Sequence, residues 1–165
     1  MAKILVVDPT KCTGCRICEL VCSVKNEGVA SPARARIGVV KWEQVSFDLP
    51  MVCQQCESPL CAAVCPVNAL SRDEASGAIS VNYDLCVGCR MCLAVCPFGA
   101  IRMDVRGKRI IKCDLCGGEP TCVSFCYTQA LQYIDPTTLD TRKKREAAEK
   151  LAELMQKFAR GAPRP

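Results

Sequence analysis

Cys86-Val-Gly-Cys89-Arg-Met-Cys92-Leu-Ala-Val-Cys96-Pro97 places four thiols and a proline within twelve residues. Cys92 and Cys96 stand four positions apart, which on a helix puts them on one face with Cβ atoms roughly 5–6 Å apart. The first three cysteines wrap one corner of a cubane, and the fourth, one helical turn further on, points past it. Pro97 has no backbone donor and stops the helix, freeing the chain to cross to a neighbouring centre. Gly88 lets the backbone approach the sulfurs closely. Zinc has no use for a C-x2-C-x2-C triplet, because its four-cysteine sites are built from two pairs. The run reads as ligands of a 4Fe–4S cluster, with the last cysteine serving a second cluster.

Outward from this run the pattern repeats. Cys12, Cys15, Cys18 and Cys22 have the same spacing. Cys53, Cys56, Cys61 and Cys65 carry four residues in the middle gap, and Cys113, Cys116, Cys122 and Cys126 carry five. Every group ends in C-x3-C, and none of the sixteen cysteines is left over. Such an internal repeat is the signature of a duplicated module. Four 4Fe–4S clusters, each iron held by one thiolate, are therefore expected, with no open iron site for catalysis. After the last cysteine of the three later groups come Pro66–Leu70, Pro97–Ile101 and Tyr127–Leu131. Each run reads as a turn leading into a short strand, paired respectively with Ala78–Val81, Arg109–Lys112 and the N-terminal Ile4–Val7. Residues 23–50 interrupt the repeat and carry a strand near Ile37–Trp42, while 72–77 form a hairpin loop. From about Asp140 to Arg160 the pattern turns helical, with Ala147, Leu151, Leu154 and Phe158 on one face.

Composition agrees. The chain has one Trp, three Tyr and four Phe among 165 residues, so it has little large apolar surface to bury. Metal–thiolate bonding is the remaining source of folding free energy, because ligands that meet only in the fold make metal binding part of folding. The absence of histidine excludes Rieske centres, mixed Cys/His zinc sites, His-ligated haem and Ser-His or Cys-His catalysis. The formal charge is +5. Four all-thiolate clusters at about −2 each add about −8, leaving the loaded chain near −3. The surplus of Lys and Arg thus compensates cluster charge, and no nucleic-acid footprint is expected. With no signal-peptide layout and no run approaching the roughly 18 apolar residues of a span, a cytoplasmic protein without a membrane span is expected.

At Met51-Val-Cys-Gln-Gln-Cys-Glu-Ser-Pro-Leu-Cys61 and Ala63-Val-Cys-Pro66 the chain resembles a known family. The likeness is to the four-cluster polyferredoxin subunits of complex iron–sulfur oxidoreductases, over about residues 3–135. Relatives accompany molybdenum or tungsten pterin enzymes, some hydrogenases and carbon monoxide dehydrogenases. The compact chain is most similar to the small subunit beside tungsten-dependent enzymes of the aldehyde oxidoreductase and benzoyl-CoA reductase type. The resemblance implies an α+β fold of two pseudo-symmetric bacterial-ferredoxin-like modules with short strands and short helices, plus a C-terminal helix. An outer module would span 1–30 with 101–135 and an inner one 53–100, with an insertion at 31–52 and the helix and tail at 136–165. It also implies the wiring. Cys12, Cys15 and Cys18 would share a cluster with Cys126, and Cys113, Cys116 and Cys122 one with Cys22. Cys53, Cys56 and Cys61 would take Cys96, and Cys86, Cys89 and Cys92 would take Cys65. Cys22-Ser23 and Cys126-Tyr127 depart from the Cys-Pro ending, which leaves the outer module's backbone path open.

The expected function is an electron relay without chemistry of its own, serving a catalytic tungsten or molybdenum pterin subunit. A flavoprotein or ferredoxin would be the other partner, and self-association could extend the relay. The alternatives are a ferredoxin-like subunit of a hydrogenase or carbon monoxide dehydrogenase and, from another class, a zinc-built interaction module. Arg102, Arg106, Lys108, Arg109 and Lys112 read as a solvated hairpin that partly balances cluster charge. Lys11, Arg16 and Arg90 stand beside ligands and are placed to tune potentials. Trp42, Phe47, Phe98, Phe125 and Tyr133 read as shielding and core residues.

Overall fold

The computed structural model describes residues 3–141, 143–145 and 148–149. It is an α+β structure of short elements in which each cysteine group leads into or sits on a helix. In chain order these are β1 (Ile4–Val7), α1 (Ile17–Glu27), β2 (Gly38–Trp42), β3 (Phe47–Met51), α2 (Leu60–Ala63), β4 (Leu70–Arg72), β5 (Ile79–Val81), α3 (Met91–Val95), β6 (Ile101–Met103), β7 (Ile110–Lys112), α4 (Thr121–Ser124) and β8 (Leu131–Ile134). Among the described residues the strands form four antiparallel pairs: β1 with β8, β2 with β3, β4 with β5 and β6 with β7. Three of these are the pairs read from the repeat, with Val7 opposite Leu131, Leu70 opposite Val81 and Ile101 opposite Lys112.

Two small cores result. One gathers Cys18, Cys22, Ile37, Val52, Leu115, Cys122 and Leu131, with Leu5, Val7 and Tyr133 packed on it. The other gathers Leu70, Ile79, Cys92, Ile101 and Ile110, with Cys61, Cys65, Cys86 and Cys96 against it. Helices α1 and α4 pack together in the first, and α2 and α3 in the second.

The structure corrects several expectations. Strand β3 pairs along β2, with Trp42 opposite Phe47 and Val39 opposite Pro50. Pro50 within this run hid it, because proline lacks the ladder donor and is tolerated only on such an edge. Trp42, Phe47, Phe98 and Phe125 are exposed rather than core. The two cores are filled by cysteine, alanine and branched aliphatic side chains. Trp42 and Phe47 rest on each other instead, ring centroids 5.7 Å apart. Lys112, expected on a solvated hairpin, is only 2% exposed. Residues 136–141 are helical, but the apolar face read at Ala147, Leu151, Leu154 and Phe158 lies outside the described residues.

Candidate metal centres

The loops before the helices share one backbone shape. The residue just before the second cysteine of each group is left-handed: Gly14 at φ +63°, Gln55 at +49°, Gly88 at +68° and Leu115 at +56°. At Gly88 a β-carbon would stand 3.0 Å from the Lys108 carbonyl oxygen, so glycine serves both the φ and the close approach. Gln55 and Leu115 hold the same shape at a cost of about 1–2 kcal/mol each.

The turn after the helix is repeated too. Asn68, Gly99 and Gln129, each third after the last cysteine of its group, have positive φ. Their N–H groups donate to the carbonyls of Cys65, Cys96 and Cys126 at 3.2, 3.2 and 3.0 Å. The next amide then points at sulfur: Ala69 N–H donates to Cys65 Sγ at 3.2 Å and Ala100 N–H to Cys96 Sγ at 3.4 Å. Cys126 makes this turn without a proline. Cys22 does not make it. Helix α1 runs on to a left-handed Gly28, and the insertion returns so that Arg36 N–H donates to Cys22 Sγ at 3.2 Å. Asn26 Nδ2 lies 3.7 Å from the same sulfur.

These loops and helices form four pockets, each lined by four cysteines. Cys12, Cys15, Cys18 and Cys126 line one. Cys22, Cys113, Cys116 and Cys122 line another. Cys53, Cys56, Cys61 and Cys96 face a third, and Cys65, Cys86, Cys89 and Cys92 the fourth. In every case three sulfurs come from one group and the fourth from another. Among the described residues no three Cys, Asp or Glu side chains close on a point that one metal ion would fill; the sulfurs stand around voids. Soft thiolates with backbone N–H groups aimed at them are the donor set that suits an iron–sulfur cluster.

Burial governs the thiols. It pushes Cys18 and Cys113 up to about 12 and raises Cys122, Cys12, Cys22, Cys61 and Cys92 as well. Cys65 goes the other way: burial opposes ionisation there too, but the amides of Val67, Ala69, Leu70 and Asn68 outweigh it. Thiolate ligation by a cation displaces these protons and supplies the compensating charge.

Supporting side chains that spacing alone did not reveal hold the loops in place. Glu19 is buried, accepting Val39 N–H and Arg16 Nε–H at 2.7 Å each, and so ties α1 to β2. Arg36 pairs with Asp114 at 2.6 Å beside Cys113. Gln55 donates to the Cys113 carbonyl at 3.0 Å and accepts from Ile79 N–H at 2.8 Å, bridging the second and fourth groups. Of the cations noted beside ligands, Lys11 pairs with Asp8 and Arg16 with Glu19, while Arg90 reaches the Gly107 carbonyl.

Residues 40–135 match the family described as 4Fe–4S dicluster domain, and residues 5–25 match the 4Fe–4S binding domain. The chain is 40% identical over 123 residues to the polyferredoxin-like subunit of an aliphatic sulfonate oxidoreductase from Pyrococcus furiosus, covering 74% of this chain and 70% of that protein. It is 36% identical over 165 residues to the electron transport protein HydN of Escherichia coli, covering 85% and 92%. A chain of the active site complex BamBC of benzoyl coenzyme A reductase is similar over 94% of this chain and 97% of its own, at 25% identity and a TM-score of 0.49. With a repeat of cysteine loops that matches over more than half its length, the chain belongs to the 4Fe–4S dicluster domain family of ferredoxin-like proteins.

Proposed function

We propose that this chain is a non-catalytic electron-transfer subunit that relays electrons through four 4Fe–4S clusters to or from the catalytic subunit of an oxidoreductase. The observation that carries the reading is the set of four cavities, each lined by three cysteines of one group and one of another. In this reading Cys12, Cys15, Cys18 and Cys126 hold one cluster, and Cys22, Cys113, Cys116 and Cys122 the next. Cys53, Cys56, Cys61 and Cys96 hold the third, and Cys65, Cys86, Cys89 and Cys92 the last. When bound, the clusters supply one-electron redox chemistry; the protein supplies spacing, burial and hydrogen bonds to sulfur.

The packing suggests an order. Helices α1 and α4, which carry Cys18, Cys22 and Cys122 of the first two sets, pack together, as do α2 and α3, which carry Cys61 and Cys92 of the last two. Between the pairs, Gln55 of the second group hydrogen-bonds the Cys113 carbonyl, and Cys53 packs on the core that holds Cys113. The sequence of centres is then the Cys12, Cys113, Cys53 and Cys86 sets. Cys15 and Cys89, in the two terminal sets, are exposed, which suits entry and exit of electrons there. The two cores support two modules, but Ile101 and Ile110 pack with Leu70 and Ile79, so in this reading the β6–β7 hairpin falls with the inner module, 53–100, rather than with an outer module of 1–30 and 101–135.

For the catalytic partner we propose a tungsten or molybdenum pterin subunit, on the resemblance at Met51–Pro66; the name of the Pyrococcus furiosus relative supports an oxidoreductase partner. A ferredoxin or flavoprotein at the other end would complete the circuit, in the cytoplasm. No described helix is long and apolar enough to cross a membrane. The test is anaerobic purification of the native complex, with Fe, W, Mo, Ni and Zn counted and stopped-flow reduction followed at the cluster absorbance. Iron in this chain with tungsten or molybdenum in its companion, and bleaching when the companion's substrate is added, is the expected result. Nickel in the companion would replace the partner, and clusters that substrate cannot reduce would remove the relay.

A further inference from the structure

Among the described residues Lys112 and Glu19 are the two charged side chains buried to 2% exposure, and the sequence offered no reason to bury Lys112. It is 2% exposed, at the end of β7 between the Cys53 and Cys113 groups. Its Nζ donates to the Ile79 carbonyl at 2.6 Å, the Cys113 carbonyl at 3.0 Å and Gln55 Oε1 at 3.2 Å. Three acceptors use the three N–H bonds of an ammonium, and all three are neutral oxygens. Among the described residues no carboxylate lies within ion-pair distance; nearby Asp114 is engaged by Arg36. A buried ammonium without an anion is costly and stays charged only where a counter-charge is present; a neutral amine would have two N–H bonds for these three oxygens.

The same side chain lines the cavity of Cys53, Cys56, Cys61 and Cys96. Lys112 is also felt as a positive charge at Cys61 and at Cys113. We propose that Lys112 is the built-in counter-charge of the cluster in this cavity, raising its reduction potential above what the cysteines alone would set. This rests on the proposed ligand sets. Reduction adds one negative charge to a cluster, and a fixed ammonium in a water-poor site favours that added charge. Gln55 positions the ammonium: its Oε1 holds Lys112 while its Nε2 holds the Cys113 carbonyl. The effect is local to the junction between the two cores, so Lys112 favours an electron on an interior centre of the relay.

The experiment is an EPR-monitored redox titration of the native complex carrying Lys112→Met, beside wild type and Lys112→Arg. The expected result is that one midpoint falls more than the other three, by at least tenfold in electron partition, or about 59 mV for a one-electron couple. Lys112→Arg, which keeps the charge, holds that midpoint near wild type. Four unmoved midpoints, or an equal shift of all four, overturn the proposal. Should Lys112→Met lose iron, Gln55→Glu is read by the same criteria, since it places a carboxylate against the ammonium and keeps the side-chain length. The iron count is measured on each sample: wild type without four clusters would overturn the ligand sets, whereas four clusters with unmoved midpoints would overturn the role of Lys112 alone.

Discussion

Removing the Glu19 side chain by Glu19→Ala tests how the insertion is held to the cluster-bearing helix. Glu19 lies between Cys18 and Leu20 on α1, is 2% exposed, and makes two hydrogen bonds of 2.7 Å. Oε1 is the acceptor for Val39 N–H, which α1 thereby joins to β2. Oε2 accepts from Arg16 Nε–H, whose side chain is 48% exposed and keeps its water when the partner goes. The loss is therefore carried by Val39 and by the void. A stranded buried amide costs about 1–3 kcal/mol, and the vacated volume of a side chain this size adds about 2 kcal/mol. The sum is about 3–5 kcal/mol. With a guanidinium m-value of about 4 kcal/mol/M, the midpoint for loss of cluster absorbance moves down by about 1 M. Glu19→Gln keeps the acceptor for Val39 but turns an amide donor towards Arg16, and should lose about half as much. Arg16→Ala leaves Glu19 bound to Val39 and costs about 1 kcal/mol, discounted for exposure. The assay is anaerobic guanidinium titration of the iron-loaded protein. A Glu19→Ala shift below about 0.3 M, or an Arg16→Ala shift as large, would refute the reasoning.

Other outcomes follow from the loops and thiols. Gly88 and Gly99 are both left-handed, but only Gly88 faces a backbone oxygen at 3.0 Å; Gly99 has open space around its missing β-carbon. Gly99→Ala should cost about 1 kcal/mol from φ alone, and Gly88→Ala about 1–3 kcal/mol more from crowding, read as thermal midpoints of cluster loss; equal losses would contradict the geometry. The crossed ligand sets predict that Cys126→Ser and Cys15→Ser remove the same cluster, so the double variant loses no more iron than either single one. Cys126→Ser with Cys116→Ser should lose two clusters, and the reverse pattern of iron counts would undo the pairing. Burial holds Cys18 and Cys113 up at about 12, so they carry protons in the iron-free fold at neutral pH. Iron loading must then release protons, and loading should weaken as pH falls from 8 to 6; a pH-stat that records no acid release would count against thiolate ligation.

How much of this was legible follows from what each local signal encodes. The C-x2-C-x2-C loops, the C-x3-C helices and the apolar runs after them are short-range patterns, so three strand pairs and four helix sites were readable. The fate of Cys22 was not, because it depends on what replaces a missing proline. Ser23 is buried in α1, donating to the Leu20 carbonyl at 2.8 Å and accepting from Ser31 N–H at 2.9 Å, and so lets the helix continue. The exposure of Trp42 and Phe47 was missed because ring hydrophobicity says nothing of which surface a ring packs on; these two rest on each other across β2 and β3. Lys112 shares the face of Ile110 by the period of two in a strand, yet nothing in the charge run Arg106–Lys112 marks the one member that turns inward. Only the junction of two modules, brought together by distant segments, explains its burial.

The central claim is four cubanes on sixteen thiolates, and the most direct measurement is iron and acid-labile sulfide per chain in anaerobically prepared protein. About sixteen of each, with all sixteen cysteines blocked to alkylation until iron is chelated, is the predicted result. About four zinc ions per chain and no sulfide would contradict it.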